Sequence, residues 1–113
     1  MYSKVAMCNQ HNPDLVVDVH FNAGGGTGFE VYRSIVGDTS KTLAENINTE
    51  VKKIMSSRGV KTWIENGSDY FAIIRETKAP AVLLEGRFVD NQMTLILLSQ
   101  ITRNWLKHTL RVF

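Results

Sequence analysis

Two residues stand out for what they could do. His20 closes the run Val16-Val17-Asp18-Val19 and leads into Phe21-Asn22-Ala23 and a glycine loop, Gly24-Gly25-Gly26-Thr27-Gly28. A histidine at the end of such a run would have its ring at a cleft, with small residues beside it to admit a ligand. There it could move a proton or bind a metal, or simply hydrogen-bond a nearby backbone group. Glu85 follows four apolar residues, Ala81-Val82-Leu83-Leu84. A carboxylate in that setting is costly unless it is paired, hydrated or bound to something. It reads either as a general acid/base whose pKa burial has raised, or as half of a salt bridge to Arg87 or Arg75.

Other candidates carry less. The glycine loop lacks the Gly-Lys-Ser/Thr ending of a phosphate-binding loop, and Phe29-Glu30-Val31-Tyr32 after it reads as a strand, so no helix N-terminus cradles an anion. His11 lies in a polar turn and His108 near the end of the last helical segment, neither with a second ligand at helical spacing. Cys8 reads as a small buried hydrophobe. Asp18 is out of place in a core strand, and is expected to face solvent or a partner outside this chain.

The elements that must position these groups follow from apolar periodicity. Met1, Val5 and Cys8 have helical spacing, and Asn12-Pro13 stops that segment. Leu15–Val19 and Phe29–Tyr32 read as strands. Asp38-Thr39-Ser40 offers N-caps for a helix with Leu43, Ile47, Val51, Ile54 and Met55 on one face, ended by Gly59. Val60–Ile64 reads as a strand and Glu65-Asn66-Gly67-Ser68 as a turn. Tyr70–Ile74 is apolar without a clear period. A buried strand runs from Ala81 to Glu85, and a last helix from Asn91 puts Leu95, Leu98, Ile101 and Trp105 toward the core. Strands alternating with helices predict an α/β domain with a largely parallel sheet flanked by helices. In such sheets functional groups gather at the carboxyl ends of strands, where both His20 and Glu85 are placed.

The bulk properties bound the answer. With 113 residues, 43% hydrophobic and 21% charged, the chain suits one small globular domain spanning residues 1–113. A net charge of +2 gives no basic stripe, which argues against a nucleic-acid partner. One cysteine excludes an internal disulfide framework and a cysteine-cluster zinc site. The longest apolar run, Leu95–Leu98, is too short to cross a membrane, so no membrane partner is expected. The first residues have no signal-peptide hydrophobic region, which predicts synthesis in the cytoplasm and delivery to any outside target by other means.

Together these segments resemble the zinc-dependent N-acetylmuramoyl-L-alanine amidases, especially those of phage endolysins. Asp14–Ala23, with His20 and Asn22, is similar to the family's strand ending in a zinc-binding histidine followed by x-Asn-Ala. Gly24–Tyr32 matches the glycine loop and short strand that come next. Ser57–Lys61 is similar to the end of the next helix, and Ala79–Asn91 to the strand that carries the catalytic glutamate. Order and spacing agree over essentially the whole chain.

The resemblance implies a three-layer amidase domain and cleavage of the amide between N-acetylmuramic acid and L-alanine of peptidoglycan. It implies His20 as a zinc ligand, Glu85 as the residue that activates water, and Asn22 as a substrate contact. It also implies a departure. The family's first histidine and its glutamate ligand precede the histidine that matches His20, and the nineteen residues before His20 offer neither counterpart. The chain is therefore expected to be an N-terminally truncated domain lacking its first strand and helix. Its zinc site would be incomplete and its own amidase activity low, leaving a peptidoglycan- or protein-binding remnant as the alternative. A second copy or a partner chain would then cover the truncated face.

Overall fold

The computed structural model describes residues 3–21, 28–86 and 110–112. Helix α1 (Lys4–His11) is capped at its start by the Ser3 side chain, which accepts from the amide of Ala6, and ends on Asn12 in the left-handed region, φ 53°. Asparagine tolerates that conformation, and proline follows it, so the helix cannot continue. Strand β1 (Leu15–Phe21) comes next, then β2 (Phe29–Tyr32) and helix α2 (Thr39–Val51). After these come β3 (Ser57–Lys61), the short strands β4 (Ile64–Glu65) and β5 (Ser68–Asp69), helix α3 (Ala72–Arg75), β6 (Ala81–Gly86) and β7 (Leu110–Val112).

Among the described residues five strands form one sheet in the order β3-β2-β6-β1-β7, and β4 with β5 forms a hairpin. β1 runs parallel to both β6 and β7, and β2 parallel to β3. Among the described residues, only the β2–β6 pair in this sheet is antiparallel. The sheet is thus largely parallel, as the alternation of strands and helices predicts.

Alternation along the strands divides the core in two. Leu15, Val17, Phe29, Val31, Val82 and Leu84 pack against Leu43, Ala44, Ile47 and Val51 of α2. On the opposite face Val16, Tyr32, Ala81 and Leu83 pack with Cys8 of α1 and with Ile73 and Ile74 of α3. This gives three layers, with α2 on one side and α1 and α3 on the other. Burying each large side chain, such as Ile47 at 1% exposure, contributes about 1.5–3 kcal/mol.

Three local readings are corrected. α2 stops at Val51 rather than running on to Gly59, and Ile54 is left 44% exposed. The chain must already be extended at Ser57 to pair with Phe29, so pairing overrides the apolar period. Asp38, one of the three candidates, occupies the N-cap position without a side-chain cap bond, while the Ser40 hydroxyl accepts from the Ser34 amide and donates to the Ala81 carbonyl. Gly59 lies inside β3 at φ 96°, at a bulge where Ser57 faces Phe29 and Gly59 faces Glu30. Arg58 is the extra residue. The glycine loop and the helix expected from Asn91 lie mainly outside the described residues.

Candidate active site

β1 and β6 are neighbours in parallel register, and that register places His20 beside Glu85. Both lie near the carboxyl ends of their strands, so the two residues singled out by type meet at one sheet edge. β2 brings a third group: Glu30 pairs in register with Glu85. Because alternate residues share a face, Asp18, His20, Glu30, Tyr32 and Glu85 all project to the side covered by α1 and α3.

Asp18 is 2% exposed and is partnered within this chain. Its Oδ1 lies 3.1 Å from the Lys4 ammonium and its Oδ2 3.0 Å from His20 Nε2. This corrects the expectation that it faces solvent or a partner outside the chain. A buried carboxylate needs such donors, and α1 supplies one by placing Lys4 in its first turn. An ionised carboxylate can only accept, so the network assigns the Nε2 proton to His20 as donor. Lys4 Nζ also comes within 3.4 Å of Nε2. Lys4, Asp18, His20, Phe71 and Leu83 line a cleft of about 260 Å³.

Glu85 is partly buried; of the two salt-bridge partners offered by the sequence, Arg75 binds Glu76 instead, and Arg87 lies outside the described residues. Burial and the neighbouring Glu30 carboxylate push the Glu85 pKa upward, while His20 opposes the rise. Two carboxylates sharing a site cannot both ionise cheaply, which is a standard way to keep one protonated. Glu30 has its own partners: Arg58 approaches it at 3.6 Å, and the Tyr32 hydroxyl donates to its Oε1 at 3.3 Å. Burial together with Glu30 pushes the Tyr32 phenol up to about 12.

Glu30, Tyr32, Arg58 and Lys4 were not anticipated as site residues. Glu30 carried a signal, a carboxylate between the apolar Phe29 and Val31 of a short strand. Arg58 carried none, because its aim depends on the bulge. Asn22 lies outside the described residues, as does His108, while His11 is exposed on the last turn of α1.

One imidazole with carboxylates nearby suits a divalent cation in ligand chemistry. Among the described residues, however, no group of three His, Cys, Asp or Glu could hold a metal ion. These residues do not by themselves close a zinc site, which needs three protein ligands and an open position. What they do provide is a protonatable carboxyl group beside an oriented imidazole. That pair suits acid–base chemistry.

The chain is similar to known proteins in sequence and in fold. The chain is 40% identical over 86 residues to the N-acetylmuramoyl-L-alanine amidase CwlM of Bacillus licheniformis, covering 74% of this chain and 32% of that protein. It is 35% identical over 108 residues to the endolysin of Bacillus phage SPP1, covering 88% and 38%. Among solved structures, Cwp6 from Clostridium difficile superposes with a TM-score of 0.68 at 34% identity, over 86% of this chain and 18% of that one. The catalytic domain of the CD27L endolysin superposes with a TM-score of 0.68 at 18% identity, covering 92% and 62%, a likeness of fold. The chain spans about a third of the length of the curated relatives it matches. The family model for N-acetylmuramoyl-L-alanine amidase matches residues 1–104, and the chain belongs to that family.

Proposed function

We propose that this chain serves peptidoglycan hydrolysis, cleaving the amide that joins N-acetylmuramic acid to L-alanine of the stem peptide. The observation that carries this reading is the register pairing of His20 with Glu85 at the ends of two parallel strands. Glu85 is the acid–base group: its raised pKa suits a carboxyl that takes a proton from attacking water and returns it to the leaving amine. His20 is a zinc ligand, held by Asp18, and Asn22 contacts substrate. Zinc, when bound, polarises the scissile carbonyl and makes water more acidic. The described residues supply one of its histidines, so the part derived for this chain is proton handling by Glu85. The cell wall is the place of action. Among the described residues no helix is long and apolar enough to cross a membrane.

One observation favours a second reading, a binding module without catalysis. The Lys4 ammonium lies beside His20 Nε2, where its charge opposes a second cation. Purified cell walls incubated with the chain separate the two. The hydrolase reading expects new free L-alanine amino termini, lost in Glu85→Gln. Wall binding without release of those termini would establish the module instead. Zinc content by elemental analysis, taken with mass in solution, accompanies this test. About one zinc per chain would show that residues beyond those described, or a second copy, complete the site.

A further inference from the structure

The turn at Asn66 and Gly67, both at positive φ, folds β4 onto β5 and places Trp63 opposite Tyr70, whose amide donates to the Trp63 carbonyl at 2.8 Å. The two rings stack with centroids 4.4 Å apart and planes 14° from parallel. Phe71 meets both edge-on, at 5.5 and 5.2 Å, and meets Tyr32 at 5.1 Å. Cross-strand pairing explains why the first two rings stack. It does not explain why Trp63 and Tyr70 stay 42% and 43% exposed. Exposed aromatic surface of this kind marks a site of contact.

The cluster is continuous with the candidate active site through two links. The Tyr32 ring lies with its centroid 6.2 Å from that of Trp63, and its hydroxyl donates to Glu30, the neighbour of Glu85. Phe71 lines the same cleft as His20. A molecule reaching Glu85 therefore has flat, apolar ring surface close at hand.

We propose that Trp63 and Tyr70 form a platform on which an N-acetylated pyranose ring of the glycan strand lies, beside the Glu85 centre. The proposal rests on the peptidoglycan reading and adds a subsite to it. A pyranose presents an apolar C–H face that matches an aromatic ring, with hydroxyl and acetamido groups at its rim. Glu65, already accepting from Trp63 Nε1 at 3.3 Å, is placed to receive such rim donors. The charged residues within 63–70 are Glu65 and Asp69, both acidic. Asp69 is buried on Ser34 and the Ile35 amide, and Arg75 donates to the Tyr70 carbonyl, so of the two carboxylates Glu65 is the one open to a ligand.

Saturation-transfer NMR with tetra-N-acetylchitotetraose, which carries the N-acetylated pyranose but not the amide to L-alanine, tests the platform. The native chain is expected to transfer magnetisation to sugar C–H protons. Trp63→Leu, which keeps apolar bulk without the flat ring, and Tyr70→Ser are each expected to weaken binding at least tenfold, with far-UV circular dichroism unchanged. No transfer in the native chain, or unaltered affinity in both variants, overturns the proposal. So does a free stem pentapeptide whose binding, rather than that of the sugar, is lost in Trp63→Leu. A chain that binds sugar through Trp63 yet releases no L-alanine termini keeps the platform and loses the hydrolase reading. A chain that cuts walls equally well with Leu at position 63 does the reverse.

Discussion

Asp18 and His20 stand two residues apart on one face of β1, with Oδ2 and Nε2 separated by 3.0 Å. The carboxylate holds the ring from behind, so in the neutral imidazole the lone pair is left on Nδ1. Lys4 completes the arrangement by neutralising Asp18 from α1. A helix and a strand are thereby joined at the candidate site by charge as well as by packing.

Removing Lys4 leaves a buried carboxylate with one donor fewer. Lys4→Met is expected to lower stability by about 1–2 kcal/mol, discounted because the ammonium is half exposed. Urea unfolding measures it, and the double variant Lys4→Met/Asp18→Asn should lose less than the sum of the singles.

Glu85→Gln should separate stability from function. The folded-state pKa of Glu85 is raised, so its favourable contribution is complete below the unfolded value and is lost as pH rises through the folded value. At pH 7 the glutamine variant should therefore unfold at higher urea than the native chain, with the gap closing near pH 4. Cleavage of cell walls should fall by about 10²-fold or more. A variant that is less stable at pH 7 would contradict the shift.

Tyr32 is expected to titrate late. Absorbance in the phenolate band should show one of the three tyrosines with a midpoint of about 12, and Tyr32→Phe should abolish that step. Because this pKa is also raised, stability is retained below the ordinary phenol value and declines as pH climbs toward the folded one.

The α2 face tests the core. Ile47 is 1% exposed among Phe29, Val31, Leu43 and Val51, and Ile47→Ala should cost about 2–5 kcal/mol in denaturant unfolding. Thr49→Ala on the exposed side loses one local hydrogen bond to the Glu45 carbonyl and should change stability by less than about 1 kcal/mol.

Elements whose signals are local were legible. β2 coincides with Phe29–Tyr32, the turn at Asn66-Gly67 is present, and β1 and β6 contain the apolar runs that announced them. The fold class and the positions of His20 and Glu85 at strand ends were legible for the same reason. What was not legible depends on pairing. That Glu30 faces Glu85 follows from an antiparallel contact between strands more than fifty residues apart. Asp18 could not be read as buried until α1 was seen to supply Lys4. The end of α2 was misplaced because Ile54 and Met55 continue the apolar period although the backbone has already left the helix. β7, at Leu110–Val112, is short and gained its identity only from pairing with β1.

The bulge in β3 makes residue count a determinant of charge. Between Phe29 and Glu30 the partner strand advances by two positions, and the additional one is Arg58, whose guanidinium reaches Glu30. Substitutions in β3 would alter side chains one at a time. Deleting Arg58 would instead remove the bulge and put the two strands in step, with Gly59 still opposite Glu30 and Val60 still opposite Val31. Overall composition would hardly change and Val60 would keep its place on the α2 side, yet Glu30 and Glu85 would be left facing one another without that cation.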